Sequence, residues 1–226
     1  MPRWGLGVLV VLAVLLVSCG GSGGAGNTTS LPDGAELLAD SATAMRTVTS
    51  ARIDLDIEGQ LPAGIPLQSA EGQLTQDGSA RGTAALDMGQ QILQVEFVII
   101  GEDLYLRGPT GGFRKLAAAS VFSAYNPTVI LNPDRGVAAV LASGTAATTE
   151  DREQVDGVDS YRLEATFPGD ILGTFMPGTN QETTGQVWIA TDGLRLVQAR
   201  FPTSDNTTIT LRLSDYNALA DITAPI

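Results

Sequence analysis

The most informative pattern in the chain is a change of period. Leu37, Leu38, Ser41, Met45 and Val48 recur at near-helical spacing, which predicts a helix over residues 34–47 with one apolar face. Asp33, with Glu36 three residues on and Pro32 just before, has the form of a capping box at its start. From Arg52 to Glu58 the period falls to two. Ile53, Leu55 and Ile57 alternate with Arg52, Asp54, Asp56 and Glu58, the pattern of an antiparallel strand with one dry face and one wet face. Asp54 and Asp56 have the spacing of paired metal ligands, but no third ligand follows at calcium-loop spacing. They read as a solvated strand face.

Further strands follow at short intervals. Residues 69–76 and 81–87 flank Asp77-Gly78, a hairpin signal. Residues 91–100 place Leu93, Val95, Phe97 and Ile99 on one side, and Leu104 to Arg107 follow after Gly101-Glu102-Asp103. The strand at 81–87 turns Ala84 and Leu86 inward, with Met88 next in the series, so small side chains leave space on that face. Residues 116–133 carry no charge over 18 positions, but Pro127 and Pro133 interrupt them, so they do not form a spanning helix. They read as two short helical pieces joined at Asn126-Pro127. A further helix is expected from Pro133 or Asp134 to about Ala142, with Val137, Val140 and Leu141 on one face. Strands then resume. Residues 145–155 and 158–167 flank Asp156-Gly157, and residues 186–191 and 194–201 flank Asp192-Gly193. Between these pairs lies an apolar loop or short helix at 168–178, and residues 207–213 form the last strand. Runs of strands with helices set apart from them define an α+β fold on an antiparallel sheet.

Ahead of this domain lies a different composition. Arg3 is followed by an apolar run from Trp4 to Val17, 14 residues long, too short to cross about 30 Å of hydrocarbon. The run ends in Leu16-Val17-Ser18-Cys19, so residues 1–18 read as a secretory signal. Gly20 to Ser30 is a Gly/Ser/Thr-rich flexible tether. The folded domain is expected at 31–226.

The chain carries 13 basic and 25 acidic residues, a net charge of −12; loss of Arg3 with the leader makes it one unit more acidic. That balance excludes nucleic-acid binding. There is no His, and Cys19 is the single Cys, which removes His-based triads, Cys-His pairs, the usual zinc sites and disulfides. No catalytic residue, metal or cofactor is assigned. A carboxylate hydrolase would require two facing acids; Asp103 and Asp170 lie at strand or loop ends, and nothing in the sequence pairs them.

Leu16-Val17-Ser18-Cys19 resembles a bacterial lipobox, which implies diacylglyceryl modification of Cys19 and attachment to the outer face of the plasma membrane. Two or more acyl chains make such attachment stable. Across the domain, Phe97-Val98-Ile99-Ile100-Gly101-Glu102-Asp103-Leu104-Tyr105, Tyr125-Asn126-Pro127, Asn132-Pro133-Asp134-Arg135-Gly136-Val137, Val187-Trp188-Ile189-Ala190 and Ser214-Asp215-Tyr216 resemble the LppX/LprAFG family of mycobacterial lipoproteins. Asn126 and Phe113 depart from the family's usual Asp and Trp. The resemblance implies a half-barrel of antiparallel sheet similar to the LolA/LolB carriers, with helices covering its concave face around an apolar cavity. It implies a carrier that binds long-chain lipids or triacylated glycolipids and moves them from plasma membrane toward the cell wall, some members beside a major-facilitator exporter. A monomer is expected. Candidate lining residues are Ala84, Leu86, Met88, Val95, Phe97, Ile99 and Leu104 on strands. Val121, Phe122, Val129, Ile130, Val137 and Phe175 are candidates on the covering segments. Aromatics make up 5% of the chain against 43% hydrophobic residues, so an aliphatic interior is expected. A passive envelope lipoprotein with a filled core remains the alternative.

Overall fold

The computed structural model describes residues 1, 30–61, 65–121, 127–173, 181–203, 206–218 and 221–226. The domain, Leu31–Ile226, opens with α1 (Gly34–Arg46). The Asp33 carboxylate accepts a hydrogen bond from the Glu36 amide at 3.0 Å, satisfying one of the helix's free N-terminal donors. Glu36 in the first turn and Arg46 in the last complement the helix dipole. Gly34 is required by closeness: a Cβ there would lie 2.7 Å from the Ala147 carbonyl.

Six strands follow: β1 (Ser50–Glu58), β2 (Leu67–Thr75), β3 (Ala80–Asp87), β4 (Ile92–Ile100), β5 (Asp103–Arg107) and β6 (Arg114–Ala117). A short α2 (Ala118–Val121), a 3-10 turn at Pro127–Val129 and α3 (Val137–Ser143) carry the chain across. Then come β7 (Thr145–Val155), β8 (Val158–Phe167), α4 (Gly169–Gly173), β9 (Thr183–Ala190), β10 (Leu196–Pro202) and β11 (Thr208–Ser214). Among the described residues, all eleven strands form one antiparallel sheet, ordered β6-β5-β4-β3-β2-β1-β11-β10-β9-β8-β7. The first meander, β1 to β6, runs from the middle of the sheet to one edge, and the second, β7 to β11, runs from the opposite edge back to the middle, where β1 and β11 meet. The sheet is curved and open, not a closed barrel.

Three expectations need correction. β6 was absent from the expected strands: Arg114-Lys115-Leu116-Ala117 is an exposed edge strand without apolar alternation, so its sequence gives no period-2 signal. The stretch from Leu116 begins as the end of that strand, with α2 only four residues long. The helix expected from Pro133 or Asp134 starts instead at Val137. Residues 133–136 form a turn pinned by the Asn132 side chain, which accepts from the Asp134 and Arg135 amides at 3.0 and 3.1 Å.

The register aligns one face of all the strands. Ile53 pairs with Leu213 on one side and Gly72 on the other, and Leu55 with Leu211 and Ala70. The inner face continues through Ala84, Val95 and Phe97 toward β5, and through Ala199, Val187 and Leu163 toward β7. Gly72 and Gly82 sit opposite each other in β2 and β3. A Cβ on Gly72 would come within 2.9 Å of the Gly82 Cα, and one on Gly82 within 2.8 Å of the Gly72 Cα, with the opposing carbonyls closer still. The two backbones approach more closely than side-chain-bearing residues permit, so both positions require glycine. Phe97, the next residue in that row, stands beside two missing side chains, an arrangement in which an aromatic covers a cross-strand glycine.

Gly82→Ala is expected to destabilise the domain by about 1–3 kcal/mol through overpacking. The check is the urea midpoint; a midpoint equal to that of the parent would show that this close approach tolerates a Cβ.

Candidate functional site: a half-open apolar trough

The inner face has two regimes. Over β1 and β8 to β11 it is filled. Leu38, Met45, Val140 and Leu141 from the helices pack with Leu163, Val187, Phe201 and Leu211 from the strands, each 3% exposed or less. Phe167 and Phe201 meet edge to face at 5.3 Å between centroids, a ring pair in an otherwise mostly aliphatic core. α1 packs on α3 and β7, and α3 on α4, which leaves the helices above this half of the sheet.

Over β2 to β6 the cover thins. Ala84, Leu86, Val95 and Phe97 are half-buried, as are Leu67, Leu93 and Leu106 beside them, and Leu116 is 39% exposed. The register puts these side chains on one face: Leu86 opposite Leu93, Ala84 opposite Val95, Phe97 opposite Leu106. Leu55, Leu67, Phe97 and Leu106 also touch the filled core, so the trough is continuous with it. Among the described residues its chemistry is aliphatic with one aromatic, suited to hydrocarbon chains. Leu67, Leu93 and Leu106 were not among the expected lining residues. Their alternation is visible in the sequence, but only cross-strand register places them beside Ala84 and Phe97.

The other expected lining residues divide. Ile99 and Leu104 are 0% exposed, Ile130 1% and Val137 3%; they are packed into the filled core. Val129 is half-buried in the 3-10 turn. Met88 lies past the end of β3, 55% exposed in the β3–β4 hairpin, and Val121 is 46% exposed at the end of α2. Cys19, Phe122 and Phe175 lie outside the described residues.

The opposite face is polar. It carries a groove of about 450 Å³ lined by Arg52, Glu71, Gln73, Arg81, Glu96 and Phe113, among others. Its charged groups are engaged: Arg81 donates to the Gln73 side chain and to the Asp221 carbonyl, and the others form ion pairs. Arg52 pairs with Glu71 at 2.9 Å, Arg107 forks onto Glu96, and the Arg107 guanidinium lies 4.8 Å from the Phe113 ring centre. Asp54 and Asp56 are on this face, each within reach of Arg212 at 3.5 and 2.9 Å. Burial, then the neighbouring Asp56 charge, raises the Asp54 carboxyl above its ordinary range, while Arg212 works against both. The pair thus anchors an arginine. Asp103 holds Lys115 at 2.7 Å, and its hydrogen bond raises the lysine. Asp103 begins β5 at one end of the sheet, whereas Asp170 follows β8 at the other, so the two acids do not face each other.

Trp188 is also on this outer face, between inward-facing Val187 and Ile189. It is 7% exposed, clusters with Ala190 and Val197, and its indole N–H donates to Glu153 Oε1 at 2.7 Å.

With the fold and trough established, the class is that of an open, curved-sheet lipoprotein domain. The LppX_LprAFG lipoprotein model matches residues 33–222, and the chain belongs to that family. It is 32% identical over 224 residues to the lipoarabinomannan carrier protein LprG of Mycolicibacterium smegmatis, covering 96% of this chain and 93% of that one. Among solved structures, LprF from Mycobacterium bovis superposes with a TM-score of 0.75 at 21% identity, over 84% of this chain and 96% of that chain. Mycobacterium tuberculosis LppX gives 0.63 at 19%, over 83% and 98%. At these identities the two structures show the shared fold.

Long-chain lipid titrated into the protein is expected to leave Trp188 emission unchanged, because that ring is on the far side of the sheet. A Phe97→Trp variant should shift its emission to the blue on the same titration; a shift from Trp188 alone would move the site to the outer face.

Proposed function

We propose that this protein is a membrane-tethered cell-envelope lipoprotein that binds long-chain lipids, triacylated glycolipids among them, in the trough of β2 to β6. It carries them from the plasma membrane toward the cell wall. The observation that carries this reading is the half-open aliphatic floor, in a family whose member LprG is named a lipoarabinomannan carrier. Each acyl CH₂ moved from water onto such a floor gains about 0.8 kcal/mol, so affinity comes from chain length without hydrogen bonds. The headgroup stays at the edge of the trough, in water. Acylation at Cys19 keeps the carrier next to its source of lipid, and a major-facilitator exporter is the fitting membrane partner.

The packed state of Ile99, Leu104, Ile130 and Val137 favours a second reading, a passive envelope lipoprotein with a filled core. The two separate on cargo: a carrier purified from its host retains lipid detectable by native mass spectrometry, and a passive domain does not.

Cys19→Ala is expected to shift the protein from the membrane to the soluble fraction; persistence in the membrane would remove the anchor. Ala84→Trp, at the centre of the trough, is expected to lower lipid uptake at least about tenfold, or about 1.4 kcal/mol, with an unchanged circular dichroism spectrum. Undiminished uptake by a folded Ala84→Trp protein would take the trough out of lipid binding.

A further inference from the structure

The two ends of the sheet differ in chemistry. At one end the hairpins are tight and acidic: Asp77 lies between β2 and β3, Glu102 between β4 and β5, Asp156 between β7 and β8, and Asp192 between β9 and β10. The Asp77 carboxylate accepts from the Ser79 amide at 3.1 Å and from the Thr75 hydroxyl, so this acid is built into its turn. At the other end the charges are unevenly spread: Asp33 and Glu36 open α1 and Asp170 and Glu182 lie between β8 and β9, but the connections β1–β2, β3–β4 and β5–β6 carry a single charge among their described residues. Those residues are Gly59–Leu61, Ile65, Pro66, 88–91 and Gly108–Gly112, plus Asp87 at the end of β3, whose carboxylate is taken up by the Gly89 amide at 2.7 Å. Here Met88 and Ile92 are 55% and 58% exposed. They flank a hairpin whose inner side, Leu86 opposite Leu93, is the end of the trough. Apart from the terminal Met1 and Ile226, they are the two most exposed large apolar side chains among the described residues, and they stand together on one hairpin whose neighbouring connections are almost free of charge.

The chain's entry point identifies that partner. Gly34 approaches Ala147 near the start of β7, and Thr145 pairs with Thr166 near the end of β8, so α1 begins at this same end of the sheet. Its C-terminus is at the acidic end, where the Gln76 side chain donates to the Arg46 carbonyl at 3.1 Å. Everything upstream of Leu31, including the tether and Cys19, therefore joins the domain at the same end of the sheet as these three connections. Leu31 itself is 41% exposed.

We infer that this almost charge-free rim, led by Met88 and Ile92 of the β3–β4 hairpin, rests on a lipid surface and opens the trough directly onto it. The inference builds on the acyl-anchor reading of Cys19. Contact is apolar: the rim loops carry no lysine or arginine to seek anionic headgroups, so neutral phosphatidylcholine suffices and salt has no effect. The acidic turns face away, toward water.

The test uses the full lipoprotein in phosphatidylcholine vesicles containing spin-labelled lipid. Gln90→Cys at the rim and Ser79→Cys at the acidic end are each labelled with a thiol-reactive fluorophore. Quenching at position 90 is expected to exceed that at position 79 by at least about threefold, because interfacial apolar groups sit within the headgroup and upper acyl region. Adding Met88→Glu and Ile92→Glu to the Gln90→Cys protein should bring the quench down to the level at 79. Flotation with the vesicles reads the anchor separately. A protein that floats but is quenched equally at 90 and 79, or is unaffected by the two glutamates, overturns the rim while leaving the anchor standing. A protein that stays in solution overturns both.

Discussion

The pairing of β1 with β11 holds the two halves of the fold together. Each meander can form from neighbouring segments, but the sheet exists as one piece only where Ile53, Leu55 and Ile57 meet Leu213, Leu211 and Ile209. The chain between them is some 150 residues long, and closing it costs loop entropy that grows only slowly with length. The inner side of the seam supplies the return. Ile53, Ile57, Ile209, Leu211 and Leu213 are all buried, and each such side chain contributes roughly 1.5–3 kcal/mol over its exposed state. The outer side adds Arg212 across Asp54 and Asp56, exposed pairs worth less than about 1 kcal/mol each. Burial therefore sets the seam, and the charges confirm its register.

That seam also divides the inner face into its filled and half-open parts. On the β7 to β11 side, α1 and α3 supply large side chains that complete the packing around Phe167 and Phe201. On the β2 to β6 side, Gly72 and Gly82 bring two backbones close together, and Ala70, Ala84 and the glycines themselves contribute little volume. Small residues and curvature together leave Phe97, Leu86 and Val95 without full cover. Among the described residues the helices are committed to the other half, which leaves these side chains half-buried. The same commitment explains why Ile99 and Leu104, on the trough's own strands, are nonetheless fully packed: they sit in the row nearest Leu74, Ala80 and the acidic end.

Sequence alone determined the local elements and the chemistry. The Asp33 cap, the 3.6-residue spacing of Leu37, Leu38 and Met45, the alternation through β1, β4 and β8, and the Asp-Gly hairpins are set by short-range sterics and hydrogen bonding, which act within a few residues. The acidic balance and the absence of His followed from composition, and the family from the matching segments. Tertiary structure decided the rest. β6 forms because β5 offers it a partner, not because Arg114-Lys115-Leu116-Ala117 favours a strand. Trp188 falls on the polar face because register assigns Val187 and Ile189 inward. Whether an inward aliphatic is packed or left half-open depends on which helix stands over it, and that is fixed by contacts between residues far apart in the chain, where local periodicity carries no information.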